Sequence, residues 1–169
     1  MREMNVSGPA AALATALEAE KQSLRGYLRL AWETRDSSGK QMFIRLATDE
    51  FEHMRLLESQ QAGRAVRLPA PSLLEQLVPK LSDKSLRIRG TAGQTELSAL
   101  ITALELEQSA RDFYRARAED AGSESARTMF GRLAEMEEAH QALLQAELDS
   151  IHGDGFWFGL PEFTLESER

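Results

Sequence analysis

Two Glu-x-x-His tetrads, Glu50 to His53 and Glu137 to His140, are the residues of this 169-residue chain whose types and spacing could do chemistry together. Residues three apart share one face of a helix, so the carboxylate and the imidazole of each tetrad can reach a common centre. Each tetrad follows a further glutamate by the same 30 positions, Glu20 before Glu50 and Glu107 before Glu137. One Glu-x-x-His in a glutamate-rich chain would carry little weight, but two at matched distances are selective. The chain has 3 histidines, and the tetrads take two of them. Carboxylate oxygens can bridge two ions, and imidazole nitrogen suits iron, copper, nickel or zinc.

The six residues lie on stripes that ought to be apolar. In steps of three and four, one stripe runs Leu13, Leu17, Glu20, Leu24, Tyr27, Ala31, and a second runs Phe43, Leu46, Glu50, His53, Leu57. A third reads Leu97, Leu100, Leu104, Glu107, Tyr114, and a fourth Phe130, Leu133, Glu137, His140, Leu144. Arg111 stands where the first stripe has Leu24, and is expected to turn to the bundle edge. A buried carboxylate without a partner costs several kcal/mol, and no other basic residue on these stripes is placed to neutralise four. Two divalent cations offset four carboxylates in charge.

The stripes demand helices to carry them. The first helix is predicted from about Pro9 to Thr34, with Ser7 as N-cap. The second follows the break Asp36-Ser37-Ser38-Gly39 and ends near Gly63, a suitable glycine for a helix end. The third starts around Thr95, whose hydroxyl can cap it, and ends before Gly122. The fourth follows Ser123 and runs to about His152, where Gly153-Asp154-Gly155 stops it and the imidazole complements the helix dipole. Short links make each pair an antiparallel hairpin. The stretch of about 30 residues from Arg64 to Gly93, with a possible short helix over Pro71–Leu77, is long enough to run back along helices of about 37 Å. The expected fold is all-α, an antiparallel four-helix bundle with a long crossover, over residues 1–152, followed by a tail over 153–169.

The two hairpins repeat one another. At an offset of 87 positions (Glu20 to Glu107), Thr15, Ala16, Leu17, Glu18, Glu20 and Tyr27 fall on Thr102, Ala103, Leu104, Glu105, Glu107 and Tyr114. Met42, Phe43, Arg45, Leu46, Ala47, Glu50, His53, Leu56 and Leu57 fall on Met129, Phe130, Arg132, Leu133, Ala134, Glu137, His140, Leu143 and Leu144. No gap is needed, and an internal repeat is the natural origin of a site with two equivalent halves.

Bulk properties narrow the function classes. With 0 Cys, disulfides, iron–sulfur clusters and thiolate zinc sites are excluded. A net charge of −7 argues against a nucleic-acid partner held by phosphate contacts. No apolar run reaches the roughly 18–20 residues that span a membrane. Glu18 and Glu20 interrupt the Ala/Leu-rich start, which reads as helix and not as a signal peptide, so the expected location is cytoplasmic. The aromatic tail Gly155-Phe156-Trp157-Phe158-Gly159-Leu160-Pro161-Glu162-Phe163 is too apolar for water. It is expected to pack on the bundle or on another subunit, in a homodimer or higher homo-oligomer.

Glu20 with Tyr27, Glu50-x-x-His53, Glu107 with Tyr114 and Glu137-x-x-His140 resemble the rubrerythrin family of ferritin-like di-iron proteins, over both hairpins. The resemblance implies two iron ions, with manganese or zinc as possible substitutes. Glu50 and Glu137 would bridge them, Glu20 and Glu107 would be terminal ligands, and His53 and His140 would each bind one ion. It implies hydrogen-bonding roles around the ligands for Tyr27 and Tyr114, and for Asp49 an orienting contact to His140. The implied activity is a di-iron oxidase or peroxidase reducing O₂ or H₂O₂, supplied by an external electron donor. Two features depart from the family: no Cys₄ iron domain is possible, and Ala110 stands where rubrerythrins carry an extra glutamate. Bacterioferritins, which oxidise and store iron, resemble the doubled motif too, but have a haem-binding Met where this chain has Phe51. Di-iron hydroxylases of organic substrates share the ligands as a minor alternative.

Overall fold

The computed structural model describes residues 9–65, 67–70, 94–154 and 157. Four helices order as α1 (Pro9–Glu33), α2 (Ser37–Gln61), α3 (Gln94–Glu119) and α4 (Glu124–Asp154), with no strand among the described residues. The packing is concentrated within two hairpins, α1 with α2 and α3 with α4, and the hairpins meet through their inner stripes. This is the all-α four-helix bundle that the stripes require.

Helix ends follow local chemistry. The stretch Asp36 to Gly39, expected as a break before the second helix, is instead its first turn. The Asp36 carboxylate accepts from the amides of Ser38 (2.8 Å) and Gly39 (3.1 Å), satisfying donors that the first turn leaves free. At the other end Gly63 takes φ 64° and its amide donates to Gln60 O (3.1 Å), while the Arg64 amide reaches Ser59 O (2.9 Å). This paired ending requires a left-handed residue, which glycine supplies without a Cβ clash. Ser123 caps α4 through its hydroxyl to the Ala126 amide (3.2 Å). α4 passes the expected stop and ends at Asp154. Ser7, the Thr95 side chain and the Pro71–Leu77 segment lie outside what is described.

The core divides into two apolar clusters with a polar layer between them along every helix. One gathers Tyr27, Phe43, Leu46, Leu100 and Leu143; the other gathers Ala16, Leu57, Tyr114, Phe130 and Leu133. The repeat is preserved in three dimensions. Tyr27 stacks on Phe43 at 6.2 Å and 24°, and Tyr114 stacks on Phe130 at 6.1 Å and 24°.

The symmetry breaks at one end of the bundle. Trp157, beyond α4, is fully buried in its own bundle and meets Phe43 edge-on at 6.0 Å. Its ring lies flat against Gly39, where an added Cβ would come within 2.7 Å of ring carbons. The repeat counterpart of Gly39 is Ala126, so only one half leaves room for the ring. The remaining residues of the aromatic tail lie outside the described ones. Because Trp32 is 87% exposed and Trp157 fully buried, fluorescence can separate them once Trp32 is replaced by Phe. In that background Gly39→Ala is expected to shift Trp157 emission to the red and to cost about 1–3 kcal/mol in denaturant unfolding. An unchanged emission maximum and midpoint would contradict the seat.

Candidate metal centre

The periodicity that made the stripes also aims their polar members inward. Glu20 on α1, Glu50 and His53 on α2, Glu107 on α3, and Glu137 and His140 on α4 are each at most 3% exposed. Four helices therefore deliver six ionisable side chains to one layer between the two apolar clusters. All six of the residues singled out by spacing come together there.

They form two overlapping groups, Glu20, Glu50, His53, Glu137 and Glu50, Glu107, Glu137, His140. Within each group one donor atom per residue lies within 4.8 Å of all the others. Glu50 and Glu137 belong to both groups, while each remaining glutamate and histidine belongs to one. His53 Nδ1 stands 3.0 Å from Glu137 Oε1, 3.2 Å from Glu50 Oε2 and 3.4 Å from Glu20 Oε2. His140 Nδ1 stands 3.3 Å from Glu137 Oε2, 3.4 Å from Glu50 Oε1 and 3.5 Å from Glu107 Oε2. The rings stack at 5.4 Å between centroids.

Proximity here is only in part hydrogen bonding: His53 Nδ1 pairs with Glu50 Oε2 at 3.2 Å. Both oxygens of Glu137, Oε1 of Glu50 and Nδ1 of His140 have no hydrogen-bond partner among the described residues, although all are buried. Buried polar atoms are almost always paired. These atoms lie close to the other donors of the layer without being paired by them. Oxygen and imidazole donors converging in this way fit a divalent transition metal in each group.

The surrounding hydroxyls cross between hairpins. Tyr27 on α1 donates to Glu107 Oε1 on α3, and Tyr114 on α3 donates to Glu20 Oε1 on α1. Each outer glutamate thus gives one oxygen to a tyrosine and keeps Oε2 for its histidine. The repeat identifies the tyrosines, but not that each serves the other hairpin, because pairing across the bundle depends on how the hairpins dock. Asp49 Oδ2 lies 3.4 Å from His140 Nε2 and is held by Arg45 Nε at 3.2 Å. Arg111, a partly buried side chain, pairs with Asp112 (2.8 Å) and donates to Gln141 on α4.

Burial dominates the electrostatics. It pushes the Glu20 and Glu107 carboxyls well above the ordinary value of 4.5, and the neighbouring carboxylates push the same way. Burial and the Glu137 charge raise Glu50 too, but hydrogen bonding with Glu20 and the His53 charge outweigh both and hold it at about 2. Burial raises Glu137 as well, but the His53 charge and the neighbouring polar groups outweigh it and hold Glu137 well below 4.5. Burial alone would lower both histidines; the carboxylates around them raise them well above 6.5. Burial and the adjacent glutamate charges raise both tyrosines well above 10.0, so they remain protonated donors. Without metal, protons on Glu20, Glu107 and the two imidazoles neutralise the layer.

A model of the Rubrerythrin family matches residues 11–148. A solved structure of a hypothetical protein from Pyrococcus furiosus superposes with a TM-score of 0.69. It is 22% identical, and the alignment covers 92% of this chain and 97% of that one. No curated protein matches significantly. Among the described residues, no helix is long and apolar enough to cross a membrane.

These shifts fix a sign for stability. Groups whose folded values are raised, Glu20, Glu107, His53 and His140, stabilise the fold fully below their ordinary values and lose that contribution as pH rises through the raised ones. The lowered groups, Glu50 and Glu137, contribute stability above their ordinary values and lose it only as pH falls, towards about 2 for Glu50. The metal-free protein should therefore lose thermal stability as pH rises from about 5 to 8, while divalent metal, by displacing those protons, should restore more as pH rises. Calorimetric melting with and without metal checks this; a gap that narrows with rising pH would be the wrong sign.

Proposed function

The chain belongs to the rubrerythrin family, and on that premise we propose that it holds two iron ions in this layer and uses them to reduce O₂ or H₂O₂. The observation that carries the reading is the convergence of four buried glutamates and two buried histidines on two shared centres. Glu50 and Glu137, common to both groups, would be shared by the two ions. Glu20 and His53 would complete the set of one, and Glu107 and His140 that of the other. Manganese or zinc can occupy the same donors.

When bound, an iron pair supplies two electrons and an open position at which an oxidant binds. The protein supplies the rest. Tyr27 and Tyr114 fix the outer oxygens of Glu107 and Glu20, which keeps the inner oxygens aimed at the layer. The same phenols stay protonated, so each remains a hydrogen-bond donor to its outer carboxylate. The two apolar clusters exclude bulk water above and below. A cleft of about 290 Å³ between α1 and α3 reaches Tyr27, and another of about 310 Å³ reaches Tyr114, so small molecules can approach from that side. With 0 Cys, the chain has no iron–sulfur relay of its own, and an external donor must return the electrons.

Metal-free protein loaded anaerobically with Fe(II) should bind two ions per chain by elemental analysis. Mixing with H₂O₂ or O₂ should then raise near-ultraviolet absorption within seconds; iron that stays reduced would overturn the oxidase reading. Glu50→Gln and Glu137→Gln should each lower occupancy at both positions, whereas Glu20→Gln and Glu107→Gln should each lower one. Tyr27→Phe and Tyr114→Phe are expected to reduce metal affinity or turnover by roughly 10–100-fold while leaving the helical signal intact.

A further inference from the structure

The inner ligands and their tyrosine contacts are the same in both halves, but the groups behind the two histidines are not. His140 turns its outer nitrogen, Nε2, towards Asp49 Oδ2 at 3.4 Å, and Arg45 holds that carboxylate at 3.2 Å. His53 Nε2 is buried with no hydrogen-bond partner among the described residues. The repeat explains the difference. Position 49 corresponds to Met136 at the offset that carries Glu50 onto Glu137, so the second hairpin has a thioether where the first has a carboxylate. The arginine is kept in both copies: Arg132, counterpart of Arg45, has its guanidinium 3.0 Å from Glu135.

A carboxylate behind an imidazole does two things for the opposite nitrogen. It fixes the tautomer with hydrogen on Nε2, leaving the Nδ1 lone pair free, and it makes that lone pair a stronger donor. His140 has both advantages, and His53 has neither from this source. We infer that the two metal positions are unequal, with the Glu107–His140 half binding its ion more tightly and filling first because Asp49, reached from α2, positions His140. This inference rests on the dinuclear reading above. Asp49 is thereby a positioning residue, acting on the ion through His140, and Met136 is what makes the other half the weaker one.

The test reads which position is filled, which a merely structural role for Asp49 would not move. Crystals of the full chain are grown metal-free with one equivalent of Co(II) per chain, and anomalous peaks are compared at the two positions. Loss of a partner behind a metal-binding histidine typically changes affinity 10–100-fold, and a ten-fold difference puts about three quarters of the ion in the preferred position. The wild type should therefore show the larger peak beside Glu107 and His140. Asp49→Asn should bring the two peaks towards equality, and Met136→Asp should do the same by strengthening the His53 half. Residues 49 and 136 are both only partly buried, so both changes are compatible with folding. Equal peaks in the wild type, a larger peak beside His53, or an unchanged ratio in Asp49→Asn would overturn the inference while leaving a dinuclear site intact. No peak at either position in excess Co(II) would overturn the dinuclear reading itself.

Discussion

Negative charge buried without water is the constraint on which the rest of this molecule depends. Glu20, Glu50, Glu107 and Glu137 occupy positions that a bundle of this kind would otherwise fill with leucine, and each is nearly inaccessible to solvent. Such a layer folds only if positive charge enters with it. Two histidines provide part of that charge, and protons on the outer glutamates remove the remainder of the excess. Divalent cations do the same work with better geometry, because they can sit among the donors of each group. The apolar clusters on either side fix the layer laterally, and the stacked Tyr27–Phe43 and Tyr114–Phe130 pairs join each cluster to it.

The arrangement also explains why neither hairpin can complete the site alone. Each contributes one outer glutamate, one glutamate common to both groups and one histidine, but each outer glutamate takes its hydroxyl from the opposite hairpin. The principal contacts that orient the ligands therefore form only when the hairpins dock. Function and docking share the same residues, so the polar layer acts as the register mark that aligns one hairpin on the other. A slip of one helical turn would separate Tyr27 from Glu107 and expose carboxylates to leucine.

Much of this was legible in the residues. The helices, the two hairpins and the six converging side chains follow from apolar periodicity and from the matched distances between Glu20 and Glu50 and between Glu107 and Glu137. Local chemistry is less plain: Asp36 to Gly39 has the composition of a break, yet Asp36 makes it a helix start, because a capping carboxylate and a loop residue look alike until the amides it serves are known. Long-range choices were less legible. The crossing of the tyrosines and the seating of Trp157 on Gly39 depend on packing between distant segments, and the contact of Asp49 with His140 was expected only through the family resemblance. The mismatches between the repeats, Gly39 with Ala126 and Asp49 with Met136, mark the places where the halves differ.

The exchange of tyrosines between hairpins has the geometry of an isologous pair, in which residue i of one unit meets residue j of the other and the reverse contact follows by symmetry. A half-length chain able to bind a second copy of itself would satisfy both contacts with a single glutamate–tyrosine set. Joining the copies into one polypeptide makes assembly independent of concentration. It also releases each half from having to be identical to its twin, so that a substitution can alter one side of a shared centre without altering the other. A repeat held within one chain thus leaves a symmetric pocket free to acquire a direction.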